Sequence, residues 1–165
     1  MKMKKHSISL RVANKPGVLI RISLVFARRG YNIDSLVVSE SNDRNFSSMN
    51  ITATGDPETL HLMLNQLNRL VDVVHAKEHN NENALQRELA LVKVKCEDVQ
   101  RTDVLQIADV FKARNMDISD HTITFQVTGS SSKLDAFQEL LKPYGIVELI
   151  RSGNLIMARG SESTT

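Results

Sequence analysis

Asn14-Lys15-Pro16-Gly17-Val18-Leu19 is the stretch best equipped for chemistry. A carboxamide, a proline and a glycine precede an apolar run, the signature of a turn that opens a helix. The first turn of a helix leaves backbone N–H groups without intrahelical partners and carries the positive end of the peptide dipole. Such a terminus suits a carboxylate. Gly17 lets the backbone approach a ligand, and Pro16 stiffens the turn without removing a needed donor. The Asn14 amide both donates and accepts. These features fit a site for a free amino acid. A plain strand-to-helix connector has the same composition, so spacing alone leaves both readings open.

Magnitudes define what else such a site requires. A dissociation constant near 1 mM corresponds to about −4 kcal/mol, and one near 0.1 mM to about −5.5 kcal/mol. A helix terminus offers a carboxylate roughly 0.3–1 kcal/mol, or about 2 when partly buried. A second surface must therefore hold the ammonium and the side chain. Asn32 and Ile33, in Gly30-Tyr31-Asn32-Ile33, are suited to this but lie at the far end of the same helix. Twelve helical residues span roughly 18 Å. In a symmetric homodimer, Asn32 of the neighbour faces Asn14, which places the ligand at the interface.

The elements that position these residues follow from periodicity. Ile8, Leu10 and Val12 alternate with Ser7, Ser9 and Arg11 as a half-buried strand. Residues 18–29 form a helix, with Val18, Leu19, Ile22, Val25 and Phe26 toward a sheet and Gly30 at its end. Ile20 and Leu24 fall on neither side, which suggests a covering partner subunit, the alternative being a loop folded over the helix. Strands follow over 32–39 and 46–54. Asp56 is placed as the N-cap and Pro57 as the first residue of a helix carrying Leu60, Met63, Leu64, Leu67 and Leu70. Residues 71–77 close the unit as a strand.

The polar run from His79 to Asn83 reads as a linker, after which the order recurs. Ala90, Val92, Val94 and Cys96 alternate in a strand. Asp103 is placed as the cap of a helix with Val104, Ile107, Ala108 and Phe111 inward. Strands over 116–120 and 122–128 follow, then a helix over 133–142 capped by Ser132 with Asp135. A strand over 146–151 completes the unit. Residues 155–158 add an extra strand, and 160–165 are expected to fray. The fold class is α+β, with two tandem ferredoxin-like βαββαβ domains. Their expected bounds are 1–79 and 86–165, joined by a linker at 80–85.

Composition narrows the function. The chain has 165 residues, a net charge of +2 and one cysteine. The small net charge is no nucleic-acid footprint, and the Lys2–Lys5 cluster reads as a solubilising tail. Cys96 has no partner for an intrachain disulfide, alternates with buried positions and indicates a reducing, cytoplasmic setting. No apolar run approaches the ~18 residues that span a bilayer. His75 and His79 are about 13 Å apart on a strand, too far to share a metal ion. Residues 129–133 lack the second glycine and the Ser/Thr of a phosphate loop, so a helix cap is the better reading. An RNA-recognition reading has only Phe46 and Phe125 near central strands and no Trp. No nucleophilic triad is visible.

The series Asn14–Leu19, Arg29–Leu36, Leu70–Val74, Arg87–Val94, Lys133–Phe137 and Arg151-Ser152-Gly153 resembles the small, regulatory subunits of acetohydroxyacid synthase (acetolactate synthase), whose N-terminal domain is an ACT domain. The resemblance covers nearly the whole chain. It implies a subunit that is not catalytic by itself and carries no cofactor or metal of its own. Its partner is a large catalytic subunit holding thiamine diphosphate, Mg²⁺ and FAD, which joins two pyruvates to 2-acetolactate and CO₂. The small subunit activates that enzyme and confers valine feedback inhibition on branched-chain amino-acid synthesis. By the family pattern, the allosteric effector valine contacts Asn14, Gly17, Val18, Asn32 and Ile33. The second half has residues 96–103 where the first has its Asn-x-Pro-Gly turn, so no matching effector site is expected there. Two other classes compare with this reading. One is a free-standing amino-acid sensor controlling transcription or another enzyme. The other is an acylphosphatase-type enzyme, which needs an Arg where this turn has Lys15.

Overall fold

The computed structural model describes residues 3–165. Lys2, part of the basic cluster read as a tail, lies outside them; Lys4 and Lys5 already belong to a strand. The first unit contains β1 (Lys4–Ala13), α1 (Val18–Arg28), β2 (Asn32–Glu40), β3 (Phe46–Gly55), α2 (Leu60–Asn68) and β4 (Val73–His79). Its antiparallel sheet has the order β2-β3-β1-β4. Ile8 and Leu10 of β1 lie opposite Ile51 and Met49 of β3. Together they face Ile22, Val25 and Phe26 of α1 and Met63 and Leu67 of α2, all within one buried core. This is what the period-two and helical patterns demand when helices cover one face of a sheet.

The second unit repeats the order with β5 (Ala84–Lys95), α3 (Arg101–Val110), β6 (Arg114–Ile118), β7 (Thr122–Gly129), α4 (Ser131–Leu141) and β8 (Ile146–Arg151). A single 3-10 turn, Lys142–Tyr144, joins α4 to β8, and Pro143 sits in it. The sheet order is β6-β7-β5-β8, and the short β9 (Leu155–Ala158) pairs with β5. Val92, Val94 and Cys96 pack with Phe125, Val104, Leu134 and Phe137. Cys96 is fully buried. The twice-repeated βαββαβ pattern is the ferredoxin-like α+β fold.

Packing groups the residues up to Leu85 with Gly153–Thr165, and Gln86–Ser152 forms the other unit. The segment expected to fray is docked instead. The Ala158 N–H donates to the Thr164 hydroxyl (2.9 Å), the Thr164 carbonyl bonds the His79 ring (3.0 Å), and Glu162 lies 3.8 Å from Lys77. His79 itself closes β4 and is 4% exposed, so the polar turn begins after it. The Asn80 and Asn83 side chains staple that turn by accepting from each other's N–H, each at 2.9 Å.

Three helices start at residues other than the expected caps. The cap of α2 is Thr59, because Asp56 anchors a preceding turn and its carbonyl accepts from the Tyr31 hydroxyl. Gln100, not Asp103, precedes α3, with Asp103 in its first turn. Ser130, not Ser132, caps α4 by accepting from Lys133 N–H (3.3 Å), while Asp135 is paired with Arg151. In α1 the stripe facing the sheet is narrower than expected. Leu19 is 44% exposed and joins Ile20 and Leu24 in an uncovered apolar strip.

Candidate functional site

The turn between β1 and α1 is fixed from three sides. Ala13 N–H donates to the Asp72 carbonyl (2.7 Å) and Asn14 N–H to the Asn45 carbonyl (2.8 Å). The Asn14 side-chain Nδ2 donates to the Arg44 carbonyl (3.0 Å), which leaves Oδ1 as an acceptor. Gly17 occupies the N-cap of α1 with φ 84°, and its carbonyl accepts from Arg21 N–H at 3.2 Å. A left-handed residue here re-aims the chain into the helix and is cheap only for glycine. The first-turn N–H groups that follow have no intrahelical partner. No acidic side chain occupies that first turn and no side chain caps it. Val18 is buried, so its side chain belongs to the core.

The structure brings Asn14, Gly17 and Val18 together and keeps Asn32 and Ile33 apart from them. Asn32 begins β2, exposed, with Nδ2 donating to Asp34 Oδ1 at 2.6 Å. Asp34 is held in turn by the Thr54 hydroxyl (2.6 Å). Ile33 packs against the core from a half-buried position. Between them α1 closes with Gly30 at φ 70°, the Gly30 N–H on Ala27 (3.1 Å) and the Tyr31 N–H on Phe26 (3.0 Å). That paired closure fixes where β2 starts.

Two residues at the turn escaped the sequence reading. Arg21 donates from Nε (2.9 Å) and Nη2 (2.5 Å) to Asp72 Oδ2. A pair 51 residues apart leaves no local trace in a single sequence.

Specific contacts bear on the phosphate-loop and RNA-recognition readings. Lys133 turns its amine back to the Thr128 carbonyl (2.9 Å), so the loop before α4 is a helix cap. Phe46 lies beneath the Arg11 guanidinium (4.6 Å) and Phe125 is fully buried, so neither is presented to a base. Among the described residues, no group of three or more His, Cys, Asp or Glu side chains could hold a metal ion, and no helix is long and apolar enough to cross a membrane.

The sheet orders and this turn define a regulatory module of the ACT type joined to a second ferredoxin-like unit. Residues 8–75 match a family model described as the AHAS small subunit-like ACT domain, and residues 87–160 match one described as the small subunit of acetolactate synthase. The chain is 40% identical to a probable acetolactate synthase small subunit of Methanothermobacter thermautotrophicus, over 99% of this chain and 98% of that one. It is 37% identical to the acetolactate synthase small subunit of Mycolicibacterium smegmatis, over 94% and 91%. The crystal structure of the small subunit from Thermotoga maritima superposes with a TM-score of 0.85 at 34% identity, covering 96% of this chain and 99% of that one. The chain therefore belongs to the acetolactate synthase small-subunit family, whose members are regulatory and non-catalytic.

Proposed function

We propose that this chain activates a thiamine-diphosphate-dependent acetolactate synthase large subunit, and that valine bound across two copies of its first unit inhibits the complex. The thiamine diphosphate, Mg²⁺ and FAD of the reaction belong to the large subunit, and the work takes place in the cytoplasm. Asn14 Oδ1 accepts from the effector's ammonium, while the N–H groups after Gly17 hold its carboxylate. Asn32 and Ile33 come from the partner copy.

One observation carries the reading: the Asn14–Val18 turn is anchored at a helix start that no side chain caps and no acidic residue occupies, yet Asn32 and Ile33 stand at the other end of the sheet. A two-fold arrangement unites them without distorting either. Support for association comes from the uncovered strip Leu19, Ile20 and Leu24, and from β2, an edge strand of its sheet. Valine bound at such an interface alters how the two copies sit, and a large subunit that prefers one arrangement is linked to it reciprocally. A coupling of roughly 1–3 kcal/mol gives useful feedback.

The test is reconstitution. The chain is mixed with a matching large subunit, and acetolactate formation is followed while valine is titrated. Higher activity with the chain present, and its loss with valine, is the expected result. Valine binding without any effect on the large subunit points instead to a free-standing sensor.

A further inference from the structure

We propose that Arg21 supplies a side-chain contact to the effector's carboxylate, and that Asp72 is the residue that aims it. This rests on the effector reading above and adds to it the group that selects a free acid.

Arg21 is the fourth residue of α1, one turn in from the N-cap. Its Nε and Nη2 edge is held by a single carboxylate oxygen of Asp72, at 2.9 and 2.5 Å. Asp72 is itself fixed, since its backbone carbonyl accepts from Ala13 at the base of the Asn14 turn (2.7 Å) and its side chain is 18% exposed. With that edge occupied, the guanidinium cannot swing freely, and Nη1 has no hydrogen-bond partner among the described residues. Nη1 is directed over Gly17. A Cβ built on Gly17 would sit 3.2 Å from it.

The space a side chain at Gly17 would fill is therefore bordered by a cationic donor, at the start of a helix whose first N–H groups have no intrahelical partner. These donors differ in origin but serve the same kind of acceptor, an anion with two oxygens. A structural ion pair with Asp72 alone would not need the guanidinium fork, because a lysine ammonium makes a point contact as well. The fork divides the work, one edge for Asp72 and the free nitrogen for the ligand. The ligand class follows: an α-amino acid with an ionised carboxylate, in preference to its amide.

The experiment titrates the full chain by calorimetry with valine and with valinamide, for the wild type and for Arg21→Gln, Arg21→Lys and Asp72→Asn, each checked by thermal unfolding. The wild type is expected to prefer valine. Arg21→Gln should weaken valine at least tenfold while changing valinamide less than twofold. Arg21→Lys, which keeps charge and stem, should fall between, and Asp72→Asn should weaken valine while the charge of Arg21 remains. Unchanged valine affinity in folded Arg21→Gln or Arg21→Lys overturns the assignment, as does an equal loss of valine and valinamide. A wild type that binds neither ligand overturns the effector reading together with this one, so the two failures are distinct.

Discussion

Asn14 and Asn32 stand at opposite ends of one sheet. Asn32 pairs with Thr54 of β3, whereas Ala13, just before Asn14, pairs with Phe46. Eight residue steps of β3 separate the two registers, roughly 26 Å of strand. A site using both asparagines must draw them from different copies. Asn14→Ala and Asn32→Ala should each abolish valine binding, and mixing the two variants under exchange should restore it. A mixed dimer holds one site with both asparagines intact, so about a quarter of all sites should recover. Calorimetry that finds no recovery after demonstrated exchange would rule out the shared site.

Ile20 is 65% exposed on α1, between Leu19 and Leu24. If that strip is only surface, Ile20→Glu changes stability by no more than about 0.5 kcal/mol and nothing else. We expect instead that it converts the dimer to monomer in sedimentation and removes valine binding, with the far-ultraviolet dichroism unchanged. A dimer that survives the substitution places the interface elsewhere.

Gly17 and Gly30 both have positive φ, at 84° and 70°, but differ in surroundings. Nothing lies within 4 Å of a Cβ on Gly30, whereas one on Gly17 meets Arg21. Gly30→Ala should therefore lose only conformational energy, about 1 kcal/mol. Gly17→Ala should lose a similar amount and, in addition, weaken valine binding. Denaturant midpoints and valine titrations of the pair separate the two effects, and equal valine affinity in both would contradict the placement of the site.

In the second unit Arg151 donates to both carboxylate oxygens of Glu88 (3.0 and 2.7 Å) and pairs with Asp135, and Glu88 is only 7% exposed. Hydrogen bonding to Glu88 is the main reason that the guanidinium pKa is raised above its ordinary range, against the opposing effect of burial. Arg151→Ala strands a buried carboxylate and should cost about 3 kcal/mol. Pairing it with Glu88→Gln should recover part of that loss, because the stranded charge is then absent. Urea unfolding in which the double variant is no better than the single one would refute this account.

His79 bonds the Thr164 carbonyl through Nε2, and its Nδ1 is buried without a partner among the described residues. Burial is the main reason that its pKa lies below the ordinary value; the Thr164 bond opposes this and Lys77 adds to it. A histidine with a depressed folded-state pKa contributes stability that is present above the unfolded value, near 6.5, and is lost as pH falls through the folded one. Between pH 7.5 and 5.5 the wild type should lose more stability than His79→Gln, whose amide still reaches the carbonyl. Parallel losses in chemical denaturation would show that another group titrates.

Local pattern was enough for most of the chain. The alternation of Ile8, Leu10 and Val12, the stripe Leu60, Met63 and Leu67, and the glycine after α1 each rest on spacing within a few residues, and they made the first βαββαβ order legible. The Asn14–Val18 turn was legible for the same reason, since a proline and a glycine before an apolar run constrain the backbone by themselves. Helix caps were less legible. Asp56, Asp103 and Ser132 all have capping side chains, but the residues that precede α2, α3 and α4 are Thr59, Gln100 and Ser130, and spacing alone did not choose among neighbouring candidates.

The amino-acid order thus determined two sandwiches of helix on sheet and one turn suited to an anion, because periodicity and backbone restriction act over a turn or two. Only the tertiary structure set Asp72 against Arg21, docked Thr164 on His79 and placed Asn32 a sheet-length from Asn14. Those relationships join segments that strand register and packing bring together, and register is a property of the whole sheet rather than of any stretch within it.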